Sequence, residues 1–472
     1  MKLLRGVYEG PSSHGILRVA SSMTGAHAIL RTTPEENSFP TLYAAWGRTG
    51  TPPPVTWSAR EESLSPAALA GIARRHPEVE AILFARSEAV SLSEEHEAPP
   101  ELSPDSETGH QPSVIACDWA TPNIREFEAA DLTLEALVAN RLEDSEKGQE
   151  RSAVPSVNLF GAPIFGSGAA DYDEVERLLS AIGVEVNVRV PLGASVGDLS
   201  ILPHAWANVV LYRETSESAT LYLQDEFGMP RVTTPLIGSA GTGAALRSVG
   251  ELCGLEPSRV RRATWSELGL TARLPWYARL ASSETFRGMR AAIFGDFTHP
   301  LGLGFALARE VGLEVGPCGT YLTHMDRDFL FQAQTFTDEA FVSDDPDEVA
   351  HRVEEAGVDL LIGTSLERPL AEALDIPFLP LCSPFEEHPF ARPPILGYQG
   401  SNHLADALDN ALRYPRGRPE EPPGLPWTDA ALEDLEEIPA FLRGRARRQA
   451  EERARELLAR SVTRDILQES RL

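Results

Sequence analysis

Arg290-Ala-Ala-Ile-Phe-Gly-Asp-Phe-Thr-His299 decides the fold reading of this chain. Ala292, Ile293 and Phe294 make a short apolar run, the pattern of a parallel strand buried on both faces. Gly295 turns the chain, and a helix is expected from near Leu301 to residue 312. In an open α/β sheet, ligands sit in the crevice beyond such strand ends. Asp296 and His299, both able to carry protons, are therefore expected at that edge. Asp is equally a good helix cap, so Asp296 reads either as a cap or as a site residue.

A second segment repeats the pattern. Ser156-Val-Asn-Leu-Phe-Gly161 precedes an amphipathic helix at 171–182, with Tyr172, Val175, Leu178, Leu179 and Ile182 on one face. Each helix leads through Gly into a further strand, expected at Val184–Val190 and Leu313–Val315. Such βαβ openings cross over right-handed and build parallel sheets. More strands are expected at Glu80–Phe84, Ala207–Tyr212, Ala340–Val342, Leu360–Gly363 and Phe378–Leu381. The fold class is α/β, with three Rossmann-like parallel-sheet domains spanning 1–152, 153–287 and 288–418, the last carrying Asp296. Pro- and acid-rich stretches at 93–112 and 414–426 read as loops. A small helical domain is expected at 427–472, with Thr428 as an N-cap and Leu432, Leu435 and Ile438 as an apolar face. A second helix is expected there through 440–460. Its Arg443, Arg445, Arg447 and Arg448, followed by Glu451, Glu452 and Glu456 at helical spacing, read as a solvated face.

A length of 472 residues suggests about three units. Hydrophobic residues at 42% and charged residues at 24% describe an ordinary globular chain. A formal charge of −28 argues against nucleic acids and anionic membrane surfaces, which need clustered cations. No run of about 18 uncharged apolar residues exists to span a bilayer. Met1-Lys-Leu-Leu-Arg-Gly-Val-Tyr8 lacks a signal-peptide core, so a cytoplasmic location is expected. Cys117, Cys253, Cys318 and Cys382 show neither C-x-x-C spacing nor a disulfide framework, so this chain alone holds no complete zinc or iron–sulfur site. Gly161, Gly166 and Gly168 match no phosphate-binding spacing. Gly238-Ser-Ala-Gly-Thr-Gly243 follows no clear nucleotide-binding strand, and both glycine groups read as turns.

Tyr8-Glu-Gly-Pro-Ser-Ser-His-Gly-Ile-Leu-Arg-Val-Ala-Ser-Ser22, His27-Ala-Ile29 and Glu126-Phe-Glu-Ala-Ala-Asp-Leu-Thr-Leu-Glu135 resemble the B subunits of light-independent protochlorophyllide reductases, a nitrogenase-like family. So do Leu202-Pro-His-Ala-Trp206, Glu226-Phe-Gly-Met-Pro230, Phe294-Gly-Asp-Phe-Thr-His299, Gly319-Thr-Tyr321, Leu396-Gly-Tyr-Gln-Gly-Ser-Asn402 and the tail from Trp427 to Arg448. The matches run in order along nearly the whole chain. The resemblance implies a nitrogenase component 1-like fold and a heterotetramer of two N and two B subunits. It also implies a [4Fe-4S] cluster shared with the N subunit, and a separate iron–sulfur reductase that uses the ATP. The implied reaction reduces the C17=C18 double bond of ring D of protochlorophyllide. Asp296 matches the family's proton-donating aspartate, and a dry pocket would favour its protonated form. His299 reads as structural.

Glu36, in Pro34-Glu-Glu-Asn-Ser-Phe39, matches the family's cluster-ligating carboxylate position, where Asp is usual, and reads equally as an exposed loop acid. Three departures stand out: Ser87 where the family has Cys, Glu386 where it has His, and the acidic insert at 93–112. They leave open a non-catalytic scaffold or assembly paralogue, and a sister reductase acting on chlorophyllide or another tetrapyrrole.

Overall fold

In the computed structural model the two strand–glycine–helix repeats become the centres of two parallel sheets, and a third sheet forms nearer the N-terminus. The structure describes residues 8–31, 55–58, 66–86, 111–161, 168–271, 286–384, 393–413, 425–436 and 446–469, apart from single or paired positions within these ranges, so Ile438, Arg443, Arg445, Arg448, Glu452 and Glu456 lie outside it. Glu36, Ser87, Glu386, Gly166 and insert residues 93–110 lie outside the described residues. The chain divides into two compact units.

One unit comprises Gly6–Arg273 and His388–Ser401. Its first sheet has the order β2-β1-β3-β4, built from β1 (Ala26–Arg31), β2 (Val55–Ser58), β3 (Ala81–Arg86) and β4 (Ser113–Ala116), all parallel. Ile29, Leu69, Ile72, Val79, Ile82 and Phe84 form the apolar layer on it. The second sheet has the order β6-β5-β7-β8, from β5 (Ser156–Phe160), β6 (Glu185–Val190), β7 (Ala207–Val210) and β8 (Arg231–Val232). The helix Ala169–Ile182 buries all five apolar residues of its expected face, and Gly183 ends it at φ 83°. Gly161 leaves β5 at φ 91°, where a side chain is strained, and a methyl there would also lie 2.5 Å from the Tyr212 carbonyl oxygen.

Gly238–Gly243 is not a turn but the opening of a helix, Gly238–Leu252. Only Gly238 needs a left-handed φ, at 76°. Gly241 is required for space, because its Cα lies beside the Pro235 carbonyl, 2.5 Å from where a methyl would sit.

Helix Ser12–Ser22 packs on helix Glu126–Leu142 so closely that a methyl at Gly15 would sit 2.1 Å from the Glu126 backbone oxygen. Two carboxylates knit this crossing: Glu9 accepts from Phe127 N–H at 3.2 Å, and Glu126 accepts from Gly10 N–H at 2.8 Å and pairs with Arg18.

The other unit comprises Met1–Arg5, Leu274–Glu387 and Asn402–Leu472. Its sheet has the order β11-β10-β9-β12-β13, from β9 (Arg290–Gly295), β10 (Glu314–Thr320), β11 (Ala340–Val342), β12 (Leu360–Gly363) and β13 (Phe378–Pro380), all parallel. The decisive stretch is its central strand. The following helix starts at Thr298, three residues earlier than expected, and closes through a π turn at Gly312. In the C-terminal segment, Leu435, Ala446, Ala450, Ala454, Val462 and Leu467 cluster as an apolar core. Glu451 is a correction to the solvated-face reading: it is 5% exposed and accepts from the Trp427 indole N–H at 3.0 Å. Arg447, exposed beside it, keeps that reading.

Gly15→Ala should cost about 1–3 kcal/mol of stability, because the two backbones must part. Gly71→Ala, in helix Pro66–Arg75 with nothing within 4 Å of the added carbon, should gain about 0.5–1 kcal/mol. Denaturant unfolding of both variants tests the pair. Burial, aided by Glu126 and opposed by the Phe127 amide, raises the Glu9 carboxyl to about 8. The folded chain thus holds this proton more tightly than the unfolded chain. Glu9's stabilising share is complete below its ordinary pKa and is lost as pH rises toward about 8. Glu9→Gln keeps the acceptor and should flatten that decline in thermal unfolding between pH 5 and 8, by at most about 1.4 kcal/mol per pH unit.

Candidate functional site

Four strand ends of the five-stranded sheet converge at its C-terminal edge. β9 is buried from Ala291 to Gly295, and Asp296 follows with 0% exposure. A methyl at Gly295 would lie 2.3 Å from the Cys382 Cβ, so glycine lets the chain beyond β13 close over the end of β9. Tyr321, just past β10, donates its backbone N–H to the Gly295 carbonyl at 3.2 Å and its hydroxyl to the Ser383 carbonyl at 2.9 Å. The Cys382 amide donates to the Gly363 carbonyl at the end of β12. Beyond β12, Thr364 and Glu367 form a capping box, the Thr364 N–H and hydroxyl each donating to Glu367 Oε2 at 2.7 Å.

Inside this edge Asp296 and His299 meet. The His299 backbone N–H donates to Asp296 Oδ1 at 3.1 Å, and His299 Nδ1 lies 2.6 Å from Asp296 Oδ2. Both side chains are 1% exposed. Asp296 stands one residue before the Phe297 N-cap of the Thr298–Ala306 helix, yet it accepts from a first-turn amide as a capping acid does, and it also forms a dry acid–imidazole pair. The surroundings are aromatic: Phe294 stacks on Phe341 at 5.7 Å and meets Tyr321 at 6.2 Å, while Phe297 meets Phe329 edge-on at 6.1 Å. The burial of Asp296 and His299 keeps water off the pair and strengthens the contact between them.

Several members of this edge escape the sequence reading. Thr364-Ser-Leu-Glu367 carries the T-x-x-E capping signature, which is the signal that finds it. The Ser383 hydroxyl, buried and without a hydrogen-bond partner among the described residues, carries no sequence signal.

All four cysteines are buried and free. Burial pushes the Cys253 thiol up to about 11 and raises Cys117 and Cys318 further, which disfavours the thiolate a metal needs. Among the described residues no cluster of metal-ligand side chains contains a cysteine. These residues therefore do not by themselves fit an iron–sulfur cluster. Among them, too, no helix is long and apolar enough to cross a membrane.

Comparison with known proteins agrees with this architecture. Residues 96–413 match the nitrogenase component 1 type oxidoreductase family, and residues 427–471 match the protochlorophyllide reductase 57 kD subunit. A solved structure of nitrogenase Cp1 at pH 6.5 superposes with a TM-score of 0.68 at 17% identity, covering 89% of this chain and 96% of that one, which establishes the fold. The class is thus a nitrogenase-like oxidoreductase subunit that works within a complex. The B subunit of light-independent protochlorophyllide reductase from Chlorokybus atmophyticus is 30% identical, with 97% of this chain and 96% of the relative covered. That of Leptolyngbya boryana is 29% identical at 99% and 98% coverage. This chain belongs to the family of light-independent protochlorophyllide reductase B subunits.

Proposed function

We propose that this chain supplies half of the catalytic component that reduces the C17=C18 double bond of ring D of protochlorophyllide, with Asp296 as a proton donor. One observation carries the reading: the carboxyl at the end of the central strand, in Phe294-Gly-Asp-Phe-Thr-His299, is wholly buried and paired with the His299 ring. Saturating a carbon–carbon double bond takes two electrons and two protons. Electrons entering a conjugated macrocycle build negative charge, and a positioned carboxylic acid can quench it. After the proton leaves, the new carboxylate keeps the His299 N–H as a donor on Oδ1, with the His299 Nδ1 2.6 Å from Oδ2. Burial keeps that charge from being screened by water.

In this reading two B subunits pair with two N subunits, and a separate ATP-driven iron–sulfur protein delivers the electrons. A [4Fe-4S] cluster would supply the electron-transfer chemistry. By resemblance to the family, its cysteines would come from the N subunit, with Glu36 as this chain's carboxylate. The domain division at 1–152, 153–287, 288–418 and 427–472 belongs to the same reading, supported by one sheet within each of the first three spans and the separate match over 427–471.

Asp296→Ala should leave assembly with the N subunit and pigment binding intact while lowering dithionite- and ATP-dependent product formation by about 10²–10⁴-fold. Normal turnover by that variant would remove Asp296 from the chemistry. Glu36→Ala should lower the iron content of the purified complex; unchanged cluster spectra would return Glu36 to an ordinary loop acid.

A further inference from the structure

We propose that His299 is the positioning residue for Asp296, fixing the orientation from which that carboxyl gives up its proton. The inference rests on the reading of Asp296 as donor and adds a second residue to it. The backbone N–H of His299 engages Oδ1 at 3.1 Å and its Nδ1 engages Oδ2 at 2.6 Å, so a single residue grips both oxygens. With both side chains 1% exposed, no water competes for either bond. Rotating the carboxyl would break both contacts together in a low-dielectric setting, where an unmet polar group is costly.

The two contacts differ in kind. The backbone bond is the ordinary capping bond of a helix start and persists with any non-proline residue at 299. The Nδ1 bond depends on the side chain and is not needed to start the helix. Position 299 is held rigidly, because it sits in the first turn of the Thr298–Ala306 helix and is followed by Pro300. The Phe297–Phe329 contact braces the turn from the other side of Asp296 in sequence.

The test compares His299→Ala, His299→Asn and His299→Gln in the complex assembled with the N subunit. An Asn amide places its nitrogen near the position of Nδ1, whereas the Gln amide nitrogen falls near Nε2. His299→Ala should lower kcat for protochlorophyllide at least tenfold while KM stays within twofold. His299→Asn should recover a third or more of the wild-type kcat, and His299→Gln should stay low. Wild-type kcat in His299→Ala overturns the inference, as does equal loss in the Asn and Gln variants when both melt at the wild-type temperature. Should His299→Ala fail to fold, the Asn–Gln comparison alone decides. Asp296→Asn runs alongside. If it turns over normally, the reading of Asp296 falls; if it is inactive while His299→Ala runs normally, only the assignment of His299 falls.

Discussion

The buried contact between Asp296 and His299 is the interaction around which the site is organised. An isolated carboxylate or imidazolium could not be left at the end of a fully buried strand, because the desolvation penalty would exceed what packing returns. Paired at 2.6 Å, with the helix's own amide on the second oxygen, the two groups satisfy one another. Their neighbours then follow in turn. Gly295 leaves room for Cys382, Tyr321 ties the ends of β9 and β13 together, and the Thr364–Glu367 box closes β12. An edge that would otherwise present loose backbone becomes a rigid polar seam under an aromatic wall.

This arrangement separates two demands that a single acid usually meets badly. As a cap, Asp296 needs only to accept from the helix start; as a proton donor, it needs a dry setting and a defined direction. The backbone amide meets the first demand; in the proposed role, the imidazole and the burial of the pair would meet the second. The capping reading and the chemical reading are therefore compatible, and they are separated by substituting the ring of His299 rather than the amide.

Much of the scaffold is legible because a buried parallel strand announces itself as an apolar run. β11 and β12 fall on the expected residues, and β3, β6, β7 and β13 differ by a residue or two at their ends. β10 runs well past Val315: Gly316-Pro-Cys-Gly319 carries no apolar run, and pairing with β9 takes the strand on through a register shift. β1 is hidden where His27 interrupts Ala26–Leu30; burial makes that ring neutral, pushing its pKa down to about 4, so it sits in the strand without charge. Spacing places Asp296 and His299 three residues apart at a helix start, which is enough to bring them together. Their burial is not readable, since the segments that close over the end of β9, Tyr321 and Cys382 against Gly295 and Phe341 against Phe294, lie far along the chain.

Gly161 and Gly295 occupy the same place in the two repeats, yet they answer to different necessities. The first accommodates a backbone rotation that side chains resist, while the second is a vacancy that a neighbouring loop fills. The likeness of the two segments is thus a shared lack of bulk rather than a shared turn. At Gly161 the rotation comes with the Tyr212 carbonyl 2.5 Å from any added methyl, so even Asn or Asp, which tolerate the rotation, would crowd that backbone. The gap at Gly295 can be lost only if position 382 changes with it, so the two strand ends should drift apart in different ways.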